Sequence, residues 1–188
     1  MNTFLEKRED GKYKLIENIL IPASDIKPLP LTEESREIVR NGKKYKCIAA
    51  YTFPISRPDN ENLNGRIYSS ALWENVINKK MGNGNFGLCD HPEGDGSVKD
   101  AFTVWHNIRF SESRQLIVAD AYLFGEWGRH CKEAIDAGGK IGLSSVGYFP
   151  AATCNTFIRY LSQQSAIKKR TLNKHQISRS LWYKCRIY

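Results

Sequence analysis

The stretch Asp100-Ala101-Phe102-Thr103-Val104-Trp105-His106-Asn107-Ile108-Arg109-Phe110 leads through Ser111-Glu112-Ser113-Arg114 into Gln115-Leu116-Ile117-Val118-Ala119-Asp120-Ala121-Tyr122-Leu123-Phe124. In the first run Phe102, Val104, His106, Ile108 and Phe110 share one face of a strand. Thr103, Trp105, Asn107 and Arg109 share the other. The second run is mostly apolar, with β-branched Ile117 and Val118 and aromatic Tyr122 and Phe124. Two such runs joined by a short polar turn predict an antiparallel hairpin.

Working outward, Glu126 to Ala137 suits a helix stopped by Gly138-Gly139. Lys140 to Tyr148 then reads as a short strand with two adjacent hydroxyls, Ser144 and Ser145. Its glycines, Gly142 and Gly147, let a ligand or another backbone approach closely. Upstream, the apolar run Gly84 to Cys89 stops at an Asp90-His91-Pro92 corner. Proline fixes its own φ and pushes the preceding residue toward extended geometry, so His91 is presented on a stiff backbone. Before it, Ser69 or Ser70 caps a helix running to about Lys80, with Leu72, Trp73, Val76 and Ile77 on one stripe. That helix follows Asn62-Leu63-Asn64-Gly65-Arg66-Ile67-Tyr68, in which Asn-Gly marks a tight turn.

Tyr45 to Phe53 has the content of a buried strand. Residues 33–40 suit one or two helical turns. Residues 1–44 read as an extended lead-in punctuated by Pro22, Pro28 and Pro30, with one short apolar run from Leu15. Beyond Tyr148 alternation is lost, and Arg159 to Leu161 or Leu172 to Ile177 are the candidate helices. The expected division is a folded domain over 1–148 and a basic tail over 149–188. The fold class is α+β.

A chain of 188 residues that is 41% hydrophobic and 26% charged is of globular type. No apolar run reaches the length of a membrane span, and Met1 to Asp10 carries no apolar signal region. Five scattered cysteines without a C-x-x-C pair point to reduced thiols in a cytosolic setting. The net charge of +8 is confined to the tail. No Asp or Glu follows Asp136, whereas the first 136 residues are near neutral. A basic tail can bind nucleic acid. This one has no aromatic interleaving before Trp182-Tyr183, so specific nucleic-acid recognition is not expected.

The residues offer one nucleophile-and-base combination. Serine is a weak nucleophile until a base takes its proton, and histidine does this near neutral pH. His91 on its corner and Ser144 or Ser145 on a glycine-flanked strand supply both, and backbone amides from Ser145 through Val146 to Gly147 would face an oxyanion. The plainer alternative is a serine pair in an ordinary strand. Cys89, His91, His130 and Cys131 are zinc-ligand types. They lack the usual spacing, and adjacent His130 and Cys131 diverge on a helix, so no metal site is assigned. His106, on an apolar face, reads as a core histidine.

The order Asn62 to Tyr68, helix, Asp90-His91-Pro92, two strands, helix ending in glycine, Gly142-Leu143-Ser144-Ser145-Val146-Gly147 resembles the prohead core proteases of tailed bacteriophages. These are T4-type serine peptidases similar to the herpesvirus assemblins. The resemblance spans roughly residues 45–148. It implies a mostly antiparallel β-barrel with peripheral helices, and a serine endopeptidase that needs no cofactor. His91 would be the catalytic histidine and Ser144 the nucleophile. The substrates would be the scaffold core and the major capsid protein, cleaved inside the prohead in the host cytoplasm by a homo-oligomer, with no membrane.

Two departures stand out. Val146 occupies the place where the family has arginine after its serines. No carboxylate lies downstream to orient His91, which leaves His175, or His106, as the third member. The change of character near Tyr148 fits an end replaced by a shifted frame or an interruption, which would leave the barrel incomplete and the enzyme impaired. A non-catalytic capsid-assembly or scaffold-binding protein on the same fold, and a basic-tailed nucleic-acid-binding protein, are the alternatives.

Overall fold

The computed structural model describes residues 5–7, 13–40, 42–62, 66–89, 101–149 and 181–187. The elements in chain order are β1 (Leu5–Lys7), β2 (Tyr13–Pro22), a 3-10 turn (Ala23–Asp25), β3 (Lys27–Leu29), β4 (Glu37–Arg40), β5 (Lys43–Ser56) and α1 (Ser70–Asn78). They continue as β6 (Asn85–Cys89), β7 (Ala101–Phe110), β8 (Ile117–Phe124), α2 (Gly125–Asp136), β9 (Lys140–Phe149) and β10 (Leu181–Ile187). The fold is sheet-rich α+β. One sheet runs in the order β1-β2-β9-β10-β6-β7-β8-β5-β3, with β4 also paired to β5. Every pairing is antiparallel except that of β10 with β6.

The sheet is rolled. Ile21 of β2 and Phe53 of β5 lie in one apolar cluster although five strands stand between β2 and β5 along the ladder. The ends do not join: among the described residues β1 and β3 are not paired with each other, and the closed barrel is not found.

The predicted hairpin is β7–β8, but its faces are not the simple alternation of the sequence. The main core takes Phe102, Trp105 and Ile108, while Val104 belongs to a second cluster with Phe86 and Phe124. The cause is two register shifts. One lies between Gly87 and Leu88 where β6 meets β7, and one between His106 and Arg109 where β7 meets β8. At the second, Asn107 adopts φ 52°, the left-handed region that Asn tolerates best after glycine. Each bulge advances the chain by one residue and exchanges the faces.

The helices form where patterning and caps place them. Ser69 Oγ accepts the Leu72 amide at 3.2 Å and so caps α1. Leu72, Trp73 and Val76 are buried, with Ile77 packed at the margin of the core. α2 buries Gly128, Cys131 and Ile135, a stripe that lies over β5, β7, β8 and β9. Gly138, φ 76°, then takes the left-handed position that ends the helix. No described helix is long and apolar enough to cross a membrane.

Three expectations are corrected. Residues 37–40 form strand β4 rather than helical turns, because β-branched Ile38 and Val39 pair with Tyr45 and Lys44 of β5. The lead-in is not merely extended: β2 is ten residues long and pairs with β9 along its whole length. The tail contributes β10, inserted between β9 and β6. The suggested helices at 159–161 and 172–177 lie outside the described residues.

Candidate active site

β9 is an interior strand. From Ile141 to Gly147 it is in register with β2 on one side and β10 on the other. Ile141 and Leu143 point into the main core. Ser144, the next residue, therefore points to the opposite face. It is buried there as well, only 4% exposed. Its Oγ has no hydrogen-bond partner among the described residues, a condition shared by the Trp73 indole nitrogen and the Thr103 hydroxyl. An unsatisfied buried hydroxyl costs about 1–3 kcal/mol, so a fold that retains one calls for an explanation.

The register defines a row across the sheet. Ser144 is opposite Asn18 of β2 and opposite Lys184 of β10, and Lys184 is beside Leu88 of β6. β6 ends at Cys89, two residues before His91. The row thus leads from the candidate nucleophile to the strand that ends two residues before the candidate base in sequence.

His91 itself, His175 and the Asp90-His91-Pro92 corner lie outside the described residues, as do residues 63–65 of the Asn-Gly turn. Ser145, Val146 and Gly147 follow Ser144 on β9, opposite Glu17, Ile16 and Leu15 of β2 and Tyr183, Trp182 and Leu181 of β10. Their backbone groups are thereby engaged in ladders on both edges.

His106 is on β7, three strand spacings from β9, or about 14 Å of sheet. Its ring is half-buried and meets Tyr122 edge-on, with centroids 5.7 Å apart. The register does not bring it beside Ser144. His130 and Cys131 do diverge. His130 lies on the solvent side of α2 between Glu126 and Glu133, at 3.9 and 3.8 Å, while Cys131 is fully buried in the core. Among the described residues no cluster of three or more metal-ligand side chains occurs.

A second polar site escaped the sequence reading. Asp120 of β8 is buried and accepts three hydrogen bonds: from Thr52 Oγ1 at 2.7 Å, Asn107 Nδ2 at 2.8 Å and Arg109 Nη1 at 2.9 Å. The signal was present as a lone carboxylate in an apolar strand, facing Asn107 and Arg109 across the hairpin. Burial, and next the Asp120 charge, hold the Tyr122 hydroxyl above the usual tyrosine range.

No protein-family model matches the chain, and no curated protein sequence matches it. Among solved structures it is similar to the bacteriophage T4 capsid assembly protease, gp21. The TM-score is 0.55 at 14% identity, covering 92% of this chain and 98% of that one. The two chains share a fold. The likeness is to the kind of protein that the order of motifs between Asn62 and Gly147 resembles, although the expected closed barrel is not found and at this identity the sequences agree in few positions.

Proposed function

We propose that this protein is a serine endopeptidase of the phage prohead, which degrades the internal scaffold core and trims capsid proteins during capsid maturation. The observation that carries the reading is the buried Ser144 hydroxyl, unpartnered among the described residues, on a central strand of a fold shared with a capsid assembly protease. In this reading Ser144 Oγ attacks the peptide carbonyl while His91 takes its proton. The carbon–nitrogen bond then breaks, and His91 returns the proton to the leaving amine. Water, activated by the same histidine, hydrolyses the acyl-enzyme. Chain geometry supports the pairing, since His91 is two residues from Cys89, a step of at most about 7 Å. Ser145, Val146 and Gly147 flank the nucleophile, and His175 and His106 remain the candidates to orient His91. Work inside the prohead on scaffold and capsid substrates, as a homo-oligomer and without cofactor, belongs to the same proposal. So does a domain over 1–148, to whose sheet the basic tail adds β10.

The test is cleavage of the scaffold protein encoded with this chain, by the wild type and by Ser144→Ala. Loss of cleavage in the variant supports the assignment, and equal cleavage refutes it. A second reading, a non-catalytic assembly protein on this fold, is favoured by Val146 and by the absence of any acid after Asp136. It predicts that neither protein cleaves the scaffold and that both bind it.

A further inference from the structure

β4 and the first part of β5 form a ribbon that extends beyond the main sheet. Among the described residues Lys43 to Lys46 of β5 pair with β4 alone. β8 joins β5 only from Cys47 onward, and β3 only at Ala50 to Thr52. The ribbon turns at Gly42, φ 73°. One of its faces is anchored. Ile38 and Tyr45, directly opposite each other, pack with Phe86 and Phe124. The Tyr45 ring centroid is 4.7 Å from that of Phe124 and 5.5 Å from that of Phe86. A two-stranded ribbon is marginal by itself, and this anchor holds it against the body.

The outer edge of β4 is open, since among the described residues β4 pairs with β5 alone. Along an antiparallel pair, residues that bond the partner strand alternate with residues whose N–H and C=O point away from it. The Cys47 amide donates to the Arg36 carbonyl at 2.8 Å. Arg36 is therefore of the first kind, and Glu37 and Val39 are of the second. Their backbone donors and acceptors line the free edge. Proline and bulges are common ways to blunt such an edge. β3, another edge strand, carries Pro28. β4 has neither device: its pairing with β5 runs without a register shift, and its centre is Ile38-Val39, with Val39 61% exposed. Such an edge is competent to accept a further strand.

Charge selects which strand. From Arg36 to Cys47 the basic residues are Arg36, Arg40, Lys43, Lys44 and Lys46, and the sole acid is Glu37. The body around this ribbon is near neutral. Glu33 and Glu34 belong to the Thr32–Ser35 turn that precedes it. Lys44 is bonded to Glu37 at 2.7 Å. Arg36, Lys43 and Lys46 are exposed and have no ion pair among the described residues. Lys44 and Lys46 are directly opposite Val39 and Glu37, so they share the exposed face with them. Carboxylates on an added strand would lie within a Debye length, about 10 Å at 0.1 M salt, of these ammonium groups. Nucleic acid would use the charge but neither the open backbone edge nor Val39, so a peptide is favoured.

We propose that the free edge of β4 captures an extended, acidic peptide segment as an added strand. Backbone bonds to Glu37 and Val39 set its register, an apolar side chain covers Val39, and carboxylates meet Lys44 and Lys46. Capture involves neither Ser144 nor His91, and its failure would leave the proposed function untouched.

The experiment is fluorescence anisotropy with a short fluorescein-labelled peptide of alternating valine and glutamate, in about 0.1 M salt. Wild type is expected to bind it saturably. N-methylation of alternate peptide amides should weaken binding at least about tenfold, because bonds to the edge are lost. Val39→Pro, which removes an edge donor without touching a bond to β5, should weaken it to a similar degree. Lys46→Glu should weaken it about three- to tenfold, and a valine–lysine peptide should bind at least about tenfold less tightly. Thermal unfolding checks that each variant folds. Should Val39→Pro fail to fold, the N-methylated peptide on wild type decides the same point.

Absence of saturable binding to wild type overturns the inference. So does equal affinity for the N-methylated peptide, which would leave a patch that reads charge alone, or equal affinity for the valine–lysine peptide. An oligothymidylate that binds more tightly than the acidic peptide would assign the ribbon to nucleic acid instead. Self-association in sedimentation that Val39→Pro abolishes, with no peptide bound, would assign it to a second copy of the chain.

Discussion

Asp120 and Ser144 are both polar, both 4% exposed and both on interior strands of one sheet, yet they are treated oppositely. Asp120 is met by donors from β5 and from the bulge of β7, on either side of it. Ser144 is met by none among the described residues. A charge that is buried for structural reasons is surrounded by donors, because leaving it unpaired costs several kcal/mol. A neutral hydroxyl can be left unmatched at lower cost, and an unmatched hydroxyl is free to react. Trp73 and Thr103 also have groups unmatched among the described residues. Of the three, Ser144 alone lies on the glycine-flanked strand that the order of motifs singled out.

The largest expected effect is chemical. Ser144→Ala should lower scaffold cleavage by about 10⁴-fold or more. Its thermal midpoint should be unchanged or slightly raised, since a stranded hydroxyl is removed. A clear fall in the midpoint with cleavage intact would erase the contrast with Asp120. The converse variant, Asp120→Ala, strands three donors and should destabilise the fold by about 3 kcal/mol in urea unfolding, at the low end for a buried pair because Arg109 is 38% exposed. Cleavage well below the midpoint should survive. If Asp120→Ala instead abolished cleavage in a folded protein, Asp120 would belong to the site.

Gly87→Ala probes the strand that joins the two regions. A Cβ there would meet the Thr103 methyl and lie 2.8 Å from Trp105 Nε1. Crowding of this kind costs about 1–3 kcal/mol, measurable by the same urea titration. An unchanged midpoint would mean that β6 does not pack on β7 as described.

The smallest effect lies at alkaline pH. Burial, opposed by a backbone hydrogen bond from Ile38, pushes the Cys47 thiol up from 9.0 to about 11. The unfolded chain gives up this proton first. Its contribution to stability is therefore complete below about pH 9 and is lost as pH rises toward 11. Cys47→Ala should show a flatter fall of stability over that range. It should not be level, because burial also raises Tyr51 and Tyr122. An identical slope in both proteins would remove Cys47 from the account.

Local chemistry made much of this molecule legible. Ser69, the stripe of α1, the β7–β8 hairpin and the glycine stop of α2 each carry their signal within a few residues. What was not legible depends on partners distant in sequence. β10 (Leu181-Trp182-Tyr183-Lys184-Cys185-Arg186-Ile187) has no clean alternation, and its strand form comes from the two strands beside it. Ile38 and Val39 follow a Thr32–Ser35 turn, in which the Arg36 amide bonds the Thr32 carbonyl at 3.0 Å, so their neighbourhood resembles a helix start until β5 is laid alongside. At the site, the serine stretch and the His-Pro corner stood out as residue types.

The insertion of β10 between β9 and β6 has a consequence for timing. During synthesis β9 emerges well before β10, so one edge of the serine strand stays open while the intervening segment is made. The row through Asn18, Ser144 and Lys184 cannot exist in the nascent chain at that stage. Whatever depends on β9 being paired along both edges therefore waits until β10 has been made.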